Sequence, residues 1–305
     1  MSAERSSDRR HNDSGENMAT IVQRVAGQIG QRSVLAALML GLVPAGVALA
    51  KTPAESDCAT SVTVARVAGQ VAAASLVTGL EYRDMTRQGG WHMAQESDRA
   101  AVAADPSSHL HALGSYHMAR NLGSTQCTSS AAMRRAALRG AALSLAIGTA
   151  KEVSDARYNG FSPTDLAVDV VGAGYAVAQA YVPALRHVTP SFSVAPRAFV
   201  SKGGPTAALT DYANQTLWLS ANVHELLPTS VSRAWPSAVR LSMGRRAYGG
   251  GAPSDFVLGL DLDAAQLPGS HPAWVRIKQV MHNVRLPGPA LVMGANGTRT
   301  VGLYW

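Results

Sequence analysis

The side chains with the most chemistry to offer crowd into residues 107–174 of this 305-residue chain. Ser-Ser-His-Leu-His-Ala-Leu-Gly-Ser-Tyr-His occupies 107–117, Lys-Glu-Val-Ser-Asp occupies 151–155, and Gly-Phe-Ser-Pro-Thr-Asp-Leu-Ala-Val-Asp-Val-Val-Gly-Ala-Gly occupies 160–174. Glu152 and Asp155 are three residues apart, and Asp165 and Asp169 four, so each pair shares a helix face. A tight connection at Asn159-Gly160 turns the two helices antiparallel, which brings all four carboxylates close together and within reach of His111. Paired carboxylates raise one another's pKa towards neutrality. Glu152 or Asp169 then suits a general base, with His111 as its acid partner.

Each of these residues also has a structural alternative. Ser162-Pro163-Thr164-Asp165 has the pattern of a helix start, with Ser162 as N-cap, Pro163 at the first helical position and Asp165 reaching back. Glu152 and Asp155 fall near a helix C-terminus, where the helix dipole disfavours acids, so they need a partner such as Lys151, Arg157 or a histidine. Asp169 interrupts an otherwise apolar helix and must be hydrogen-bonded or protonated, because an unpaired buried carboxylate costs several kcal/mol. Of the histidines on the first helix, His109 and His117 share a face and His111 points elsewhere, which excludes a three-histidine site. A mixed site of His111 with Glu152, Asp155 or Asp169 is geometrically open. No His-Glu-x-x-His spacing occurs, however, and neither a metal nor another cofactor is expected. There is no Gly-x-Ser-x-Gly turn for a serine nucleophile, and Gly172-Ala173-Gly174 does not follow a strand, which argues against a phosphate-cradling loop.

The elements that must position these groups change character near residue 150. Three of the 15 prolines and three of the 17 aromatic residues precede it. Apolar periodicity and breakers predict helices over 60–82, 107–122, 130–156 and 163–181, with a polar connection over 84–104. Small residues in these helices permit close packing in a bundle or against a bilayer. After Pro190 the period becomes two, with short runs over 192–200, 217–221, 238–243, 256–262 and 299–305. These read as up to five strands, with a further helix over 274–284. The fold class expected is α+β, an Ala-rich helical bundle followed by short antiparallel strands. Three regions follow: 1–50 as leader and signal peptide, 51–185 as the bundle with the His/carboxylate cluster, and 186–305 as a strand-rich region packed on it. Five strands are too few for an outer-membrane barrel, which needs eight or more. The ending Leu303-Tyr304-Trp305 nevertheless resembles the aromatic terminus of such barrels.

A basic flank at Arg32, an apolar run over 34–47 and Ala48-Leu49-Ala50 before Lys51 have the grammar of a secretory signal. The polar stretch 2–17 is long for the segment ahead of such a run, which leaves Met1 and Met18 as alternative starts. Cys58 and Cys127 lie beyond the expected cut, in a compartment where disulfides persist, and are expected to pair, with two free thiols as the alternative. Charged residues make up only 15% of the chain against 47% hydrophobic, with mean hydropathy +0.02. The charge of +7 is spread without an arginine-rich stripe, which speaks against nucleic-acid binding. Residues 1–50 hold five arginines and four acids, so the remainder still carries 22 basic against 16 acidic side chains.

At the cluster the sequence resembles the YfiM-like family of predicted periplasmic lipoproteins, a family without an assigned activity. The likeness lies in His111-Ala-Leu-Gly-Ser-Tyr, in Lys151-Glu152 with Asp155, and in Phe161-Ser162-Pro163-Thr164-Asp165-Leu166 followed by Asp169 and Gly172. It continues through Asp211–Ser220 and Leu258–Asp263. The order of helices is more distantly similar to that of VanZ-like membrane proteins, which implies a membrane-proximal bundle. Ser107-Ser108 stand where the family pattern has Asp-Lys. A lipobox is absent before Cys58, so the family's lipid anchor does not carry over.

These observations lead to an exported protein of the bacterial cell envelope, periplasmic or membrane-associated. Its expected role is structural or in binding rather than enzymatic, its expected partner is a membrane surface or envelope component, and no particular protein partner is indicated. The alternative is a hydrolase of envelope lipid or glycan working through the buried cluster. An open cleft at the carboxylates would favour the hydrolase, and a seal formed by Gly172 and the alanines would count against it.

Overall fold

In the computed structural model the described residues are 64–83, 89–95, 106–124, 129–196, 214–246, 254–283 and 285–304. The signal segment and both cysteines, Cys58 and Cys127, lie outside them. Among the described residues four helices come first: α1 (Val64–Arg83), α2 (Pro106–Leu122), α3 (Ser130–Asp155) and α4 (Pro163–Tyr181). A short 3-10 turn (Pro183–His187) leads to β1 (Val188–Val194) and β2 (Gln215–Ala221). Two single-turn helices, α5 (Val223–Leu226) and α6 (Thr229–Ser232), precede β3 (Val239–Arg246) and β4 (Asp255–Leu262). Helix α7 (Pro272–Asn283), β5 (Gly288–Met293) and β6 (Arg299–Tyr304) complete the order. This is an α+β fold, and its six strands form one antiparallel meander in sequence order.

Helices α2, α3 and α4 pack on one another. Leu113, Tyr116 and Ala119 of α2 meet Ala141 of α3 and Ala173 and Ala176 of α4. Small residues make that approach close: a Cβ at Gly172 would overlap the carbonyl of Ala112. The turn between α3 and α4 needs glycine twice over. Gly160 has φ +97°, and a side chain there would run into the backbone of Ala94, whose N–H donates to Phe161 O at 2.9 Å. The stretch 89–95 thereby pins the turn, with a bridge between Met93 and Phe161.

The sheet differs from the expected strands in two places. β1 starts at Val188 rather than near 192, because Pro190 sits inside the strand. Pro190 has no N–H to give, and β1 is the edge strand where that is tolerated. The sixth strand, β5, was not expected, since Gly288-Pro289-Ala290-Leu291-Val292-Met293 lacks polar alternation. Phe192 of β1 joins the helical core, with Leu217 of β2 packed beside it.

Register sorts the sheet into two faces. On one face a row runs through Pro190, Leu219, Met243, Leu258, Leu291 and Val301, one residue from each strand. The next row towards the β3–β4 turn holds Phe192, Leu217, Arg245, Phe256, Met293 and Arg299. The opposite face carries Thr189, Ser220, Ser242, Gly259, Ala290 and Gly302 in one row, and pairs Arg240 with Asp261. This face, which also carries Trp218 and Val257, is the buried one, and the other is exposed except where Phe192 meets the helices. Ser191, Ser193, Ser220, Ser242, Arg240 and Asp261 are buried, whereas Leu219, Leu241, Met243, Phe256, Leu258, Leu260, Val301 and Leu303 are exposed. Trp218, Val257 and Ala290 form a small apolar cluster on the same buried face, so the sheet differs from a soluble sandwich in how many large apolar side chains its other face leaves exposed.

It is also strongly curled. Trp218 of β2 and Tyr304 of β6 lie four strands apart, about 19 Å in a flat sheet, yet their rings meet at 6.0 Å. The Arg285 guanidinium lies over the Trp218 ring, 3.4 Å from its centre. Its backbone N–H donates to Phe192 O at 2.9 Å on the outer edge of β1.

Candidate functional site

Helices α2, α3 and α4 bring His111, Glu152, Asp165 and Asp169 together. His111 lies on α2, Glu152 one turn before the end of α3, and the two aspartates in the first two turns of α4. His111 Nδ1 is 3.7 Å from Asp169 Oδ1 and 3.9 Å from Glu152 Oε1. One ligand atom from each of His111, Glu152 and Asp165 lies within 4.8 Å of the others.

Local structure explains the placement. Ser162 caps α4 as expected, its Oγ accepting from Asp165 N at 3.0 Å, with Pro163 at the helix start. The Ser162 N–H donates to Glu152 Oε2 at 3.2 Å, so the side chain of α3 holds the first turn of α4. Asp165 Oδ1 accepts from Ser108 Oγ at 3.2 Å, which ties α2 to the first turn of α4. Ser115 Oγ donates to Asp169 O at 2.8 Å and ties α2 to α4.

Asp155 is not part of the group. It accepts from Lys151 Nζ at 2.6 Å and is hydrogen-bonded to the Tyr82 hydroxyl. Its spacing from Glu152 puts both on one side of α3, but in the last turn the next partner outward is α1 rather than α4.

Burial governs the electrostatics. Glu152 is 1% exposed and Asp169 4%. Burial pushes the Glu152 carboxyl up to about 7, against the pull of Lys151, His111 and the Ser162 N–H. Burial works in the opposite sense on His111, but the Asp169 and Asp165 carboxylates outweigh it and Lys151, leaving His111 raised. Glu152 Oε1 is buried without a hydrogen-bond partner. Gly172 packs on Ala112 and both acids are buried, while the His111 side chain is 19% exposed.

A second polar group, absent from the sequence-based expectations, lines the concave side of the sheet. Arg240 Nη2 and Asp261 Oδ2 form an ion pair at 2.6 Å, each side chain 1% exposed, and Ser220 Oγ donates to the same oxygen at 2.9 Å. His282 Nδ1 lies 3.2 Å from Asp263 Oδ1. Burial would raise the Asp263 pKa, but His282 and Arg240 hold it below the usual carboxylate range. A cleft of about 390 Å³ opens beside His187, Asn222, Arg240, Asp263 and His282. The signal was the alternation of Asp261 and Asp263 with Leu260 and Leu262, which names two faces without saying which is buried.

Among the described residues no helix is long and apolar enough to cross a membrane. Neither a curated protein nor a solved structure gives a significant match to the chain. The family model that does match is the one described as predicted periplasmic lipoprotein (DUF2279), over residues 88–180. That stretch holds all four clustered side chains, and the match agrees with an exported, membrane-associated protein of the cell envelope.

Proposed function

We propose that the chain is a membrane-docked envelope protein that seats in one lipid leaflet the exposed part of the convex, apolar face of its curled sheet, beyond the end where Phe192 and Leu217 meet the helices. The observation that carries this is one face of exposed large apolar side chains, Leu219, Leu241, Met243, Phe256, Leu258, Leu260, Val301 and Leu303, set against buried Ser220, Ser242, Arg240 and Asp261 on the other. Leaving each such side chain in water forgoes about 1.5–3 kcal/mol, so the face needs a cover. Val301 is 82% and Leu303 74% exposed. Lipid suits this face better than a protein. The row Pro190–Leu219–Met243–Leu258–Leu291–Val301 has no side-chain donor or acceptor, whereas protein interfaces carry about one hydrogen bond per 100–200 Å². Charge enters only at the rim, where Arg245 and Arg299 share a row suited to phosphate head groups.

The band is too short to span. From Phe256 to Leu262 it rises about 20 Å along the strand, against about 30 Å of hydrocarbon, and the six strands among the described residues fall below the eight of the smallest barrels. Docking in one leaflet fits both limits. The finer likeness to YfiM-like lipoproteins and VanZ-like membrane proteins points the same way, and the role is binding or structural, with the helical cluster outside the lipid.

Flotation of the purified chain with vesicles of phosphatidylethanolamine and phosphatidylglycerol tests the proposal. The wild type is expected to float, and Leu258→Asp and Val301→Asp, with unchanged circular dichroism, are expected to stay behind. A wild type that remains at the bottom of the gradient, or that uses these residues to form a soluble dimer, overturns it.

A further inference from the structure

The His111 cluster has the geometry of an ion site. Its nitrogen–oxygen separations of 3.7 and 3.9 Å are too long for hydrogen bonds. They fall within the spacing of two ligands around one divalent ion: bonds of about 2.1 Å put ligand atoms about 3.4 Å apart in a tetrahedron and up to about 4.2 Å apart across an octahedron. The set converges from three helices, and its outer partners are in place. Ser162 N–H fixes one oxygen of Glu152 and Ser108 Oγ one oxygen of Asp165, as hydrogen bonds around a metal fix its ligands.

A second observation points to a missing ligand. Glu152 is 1% exposed, and its Oε1 has no hydrogen-bond partner while it faces His111 Nδ1. Glu152, Asp165 and Asp169 also place three carboxylates around one imidazole, while Lys151 is engaged by Asp155 at 2.6 Å. The His111 side chain is 19% exposed, which leaves an entry.

We infer that His111 Nδ1, Glu152 Oε1 and a carboxylate oxygen of Asp165 bind a divalent transition-metal ion, with Asp169 Oδ1 as a fourth oxygen. One imidazole among carboxylates suits Zn²⁺ or Mn²⁺, whereas Ca²⁺ calls for six or more oxygens and Mg²⁺ keeps its waters. The site is independent of lipid docking: it lies in the helices and the apolar face in the sheet.

The test is calorimetric titration of the EDTA-treated full chain with ZnCl₂, followed by Co²⁺ substitution and absorption spectroscopy. One Zn²⁺ per chain is expected, with a His111-dependent Co²⁺ d–d band and a metal-dependent rise in Tm. His111→Ala and Glu152→Gln should each weaken binding by about a hundredfold or more. His111 is partly exposed, so its variant tests the site without touching the buried Glu152–Ser162 hydrogen bond. Absence of saturable one-to-one binding by wild type, or one-to-one binding unchanged in His111→Ala, overturns the inference.

Discussion

Glu152 and Ser162, ten residues apart, close the junction between α3 and α4 through one hydrogen bond: Oε2 of the buried acid accepts the N–H of the residue that caps the next helix. Loss of the acceptor strands a buried donor, which costs about 1–3 kcal/mol. Glu152→Ala is therefore expected to destabilise the metal-free protein by that amount. Glu152→Gln keeps an acceptor and removes a buried charge, and it should be neutral or stabilising. Urea denaturation in EDTA measures both, and equal losses in the two variants would contradict the role of the Ser162 bond.

Gly172 and Gly174 offer a matched pair on one helix. A Cβ at Gly172 meets the Ala112 carbonyl, while one at Gly174 meets nothing within 4 Å. Gly172→Ala should cost on the order of 2 kcal/mol or more through overpacking. Gly174→Ala should gain up to about 1 kcal/mol from helix propensity. Thermal unfolding of the two variants decides, and a shift of the same sign in both would count against the close approach of α2 and α4.

His117 sets a pH dependence. Burial, with Arg120 and His282 nearby, lowers its pKa to about 3 from an ordinary 6.5. A depressed histidine is neutral in the folded state, so its contribution is intact above pH 6.5 and is lost as pH falls towards 3, while the unfolded chain takes up the proton. The slope is up to about 1.4 kcal/mol per pH unit. Between pH 6 and 4, His117→Asn should flatten the stability profile by that slope relative to wild type. Parallel profiles would show that His117 titrates normally.

Arg240 and Asp261 are a buried pair inside the sheet. Arg240→Met leaves Asp261 without its counter-ion and should cost about 3–5 kcal/mol. Adding Asp261→Asn to Arg240→Met should recover most of that. Chemical denaturation of single and double variants reads the coupling, and additive losses would mean that the pair is not the organising contact.

Much of the helical half was legible in the residues. Ser162-Pro163 marks the start of α4, Asn159-Gly160 marks the turn before it, and the four helices run close to their predicted bounds. Most of the cluster was legible for the same reason, since i,i+4 spacing on α4 and an acid near the end of α3 leave few ways to pack. Asp155 went elsewhere because α1 supplies Tyr82, a long-range contact that spacing cannot show. In the sheet, period two revealed strands but not their orientation. Leu258 and Leu260 alternate with Gly259 and Asp261 in any β structure, and only the curl that brings Trp218 to Tyr304 puts the polar face inside. β5 escaped because both of its faces are built from small or apolar residues, and Pro190 looked like a boundary although an edge strand accepts it.

Membrane seating can be read most directly from spin labels placed at Leu258→Cys, Val301→Cys and, as a solvent-facing control, Ser230→Cys, in a Cys58→Ser/Cys127→Ser background bound to phosphatidylethanolamine/phosphatidylglycerol vesicles. Seating predicts that labels at 258 and 301 are relaxed chiefly by oxygen and shielded from a water-soluble nickel chelate, with the reverse at 230. Labels at 258 and 301 as open to the chelate as the one at 230 would contradict it.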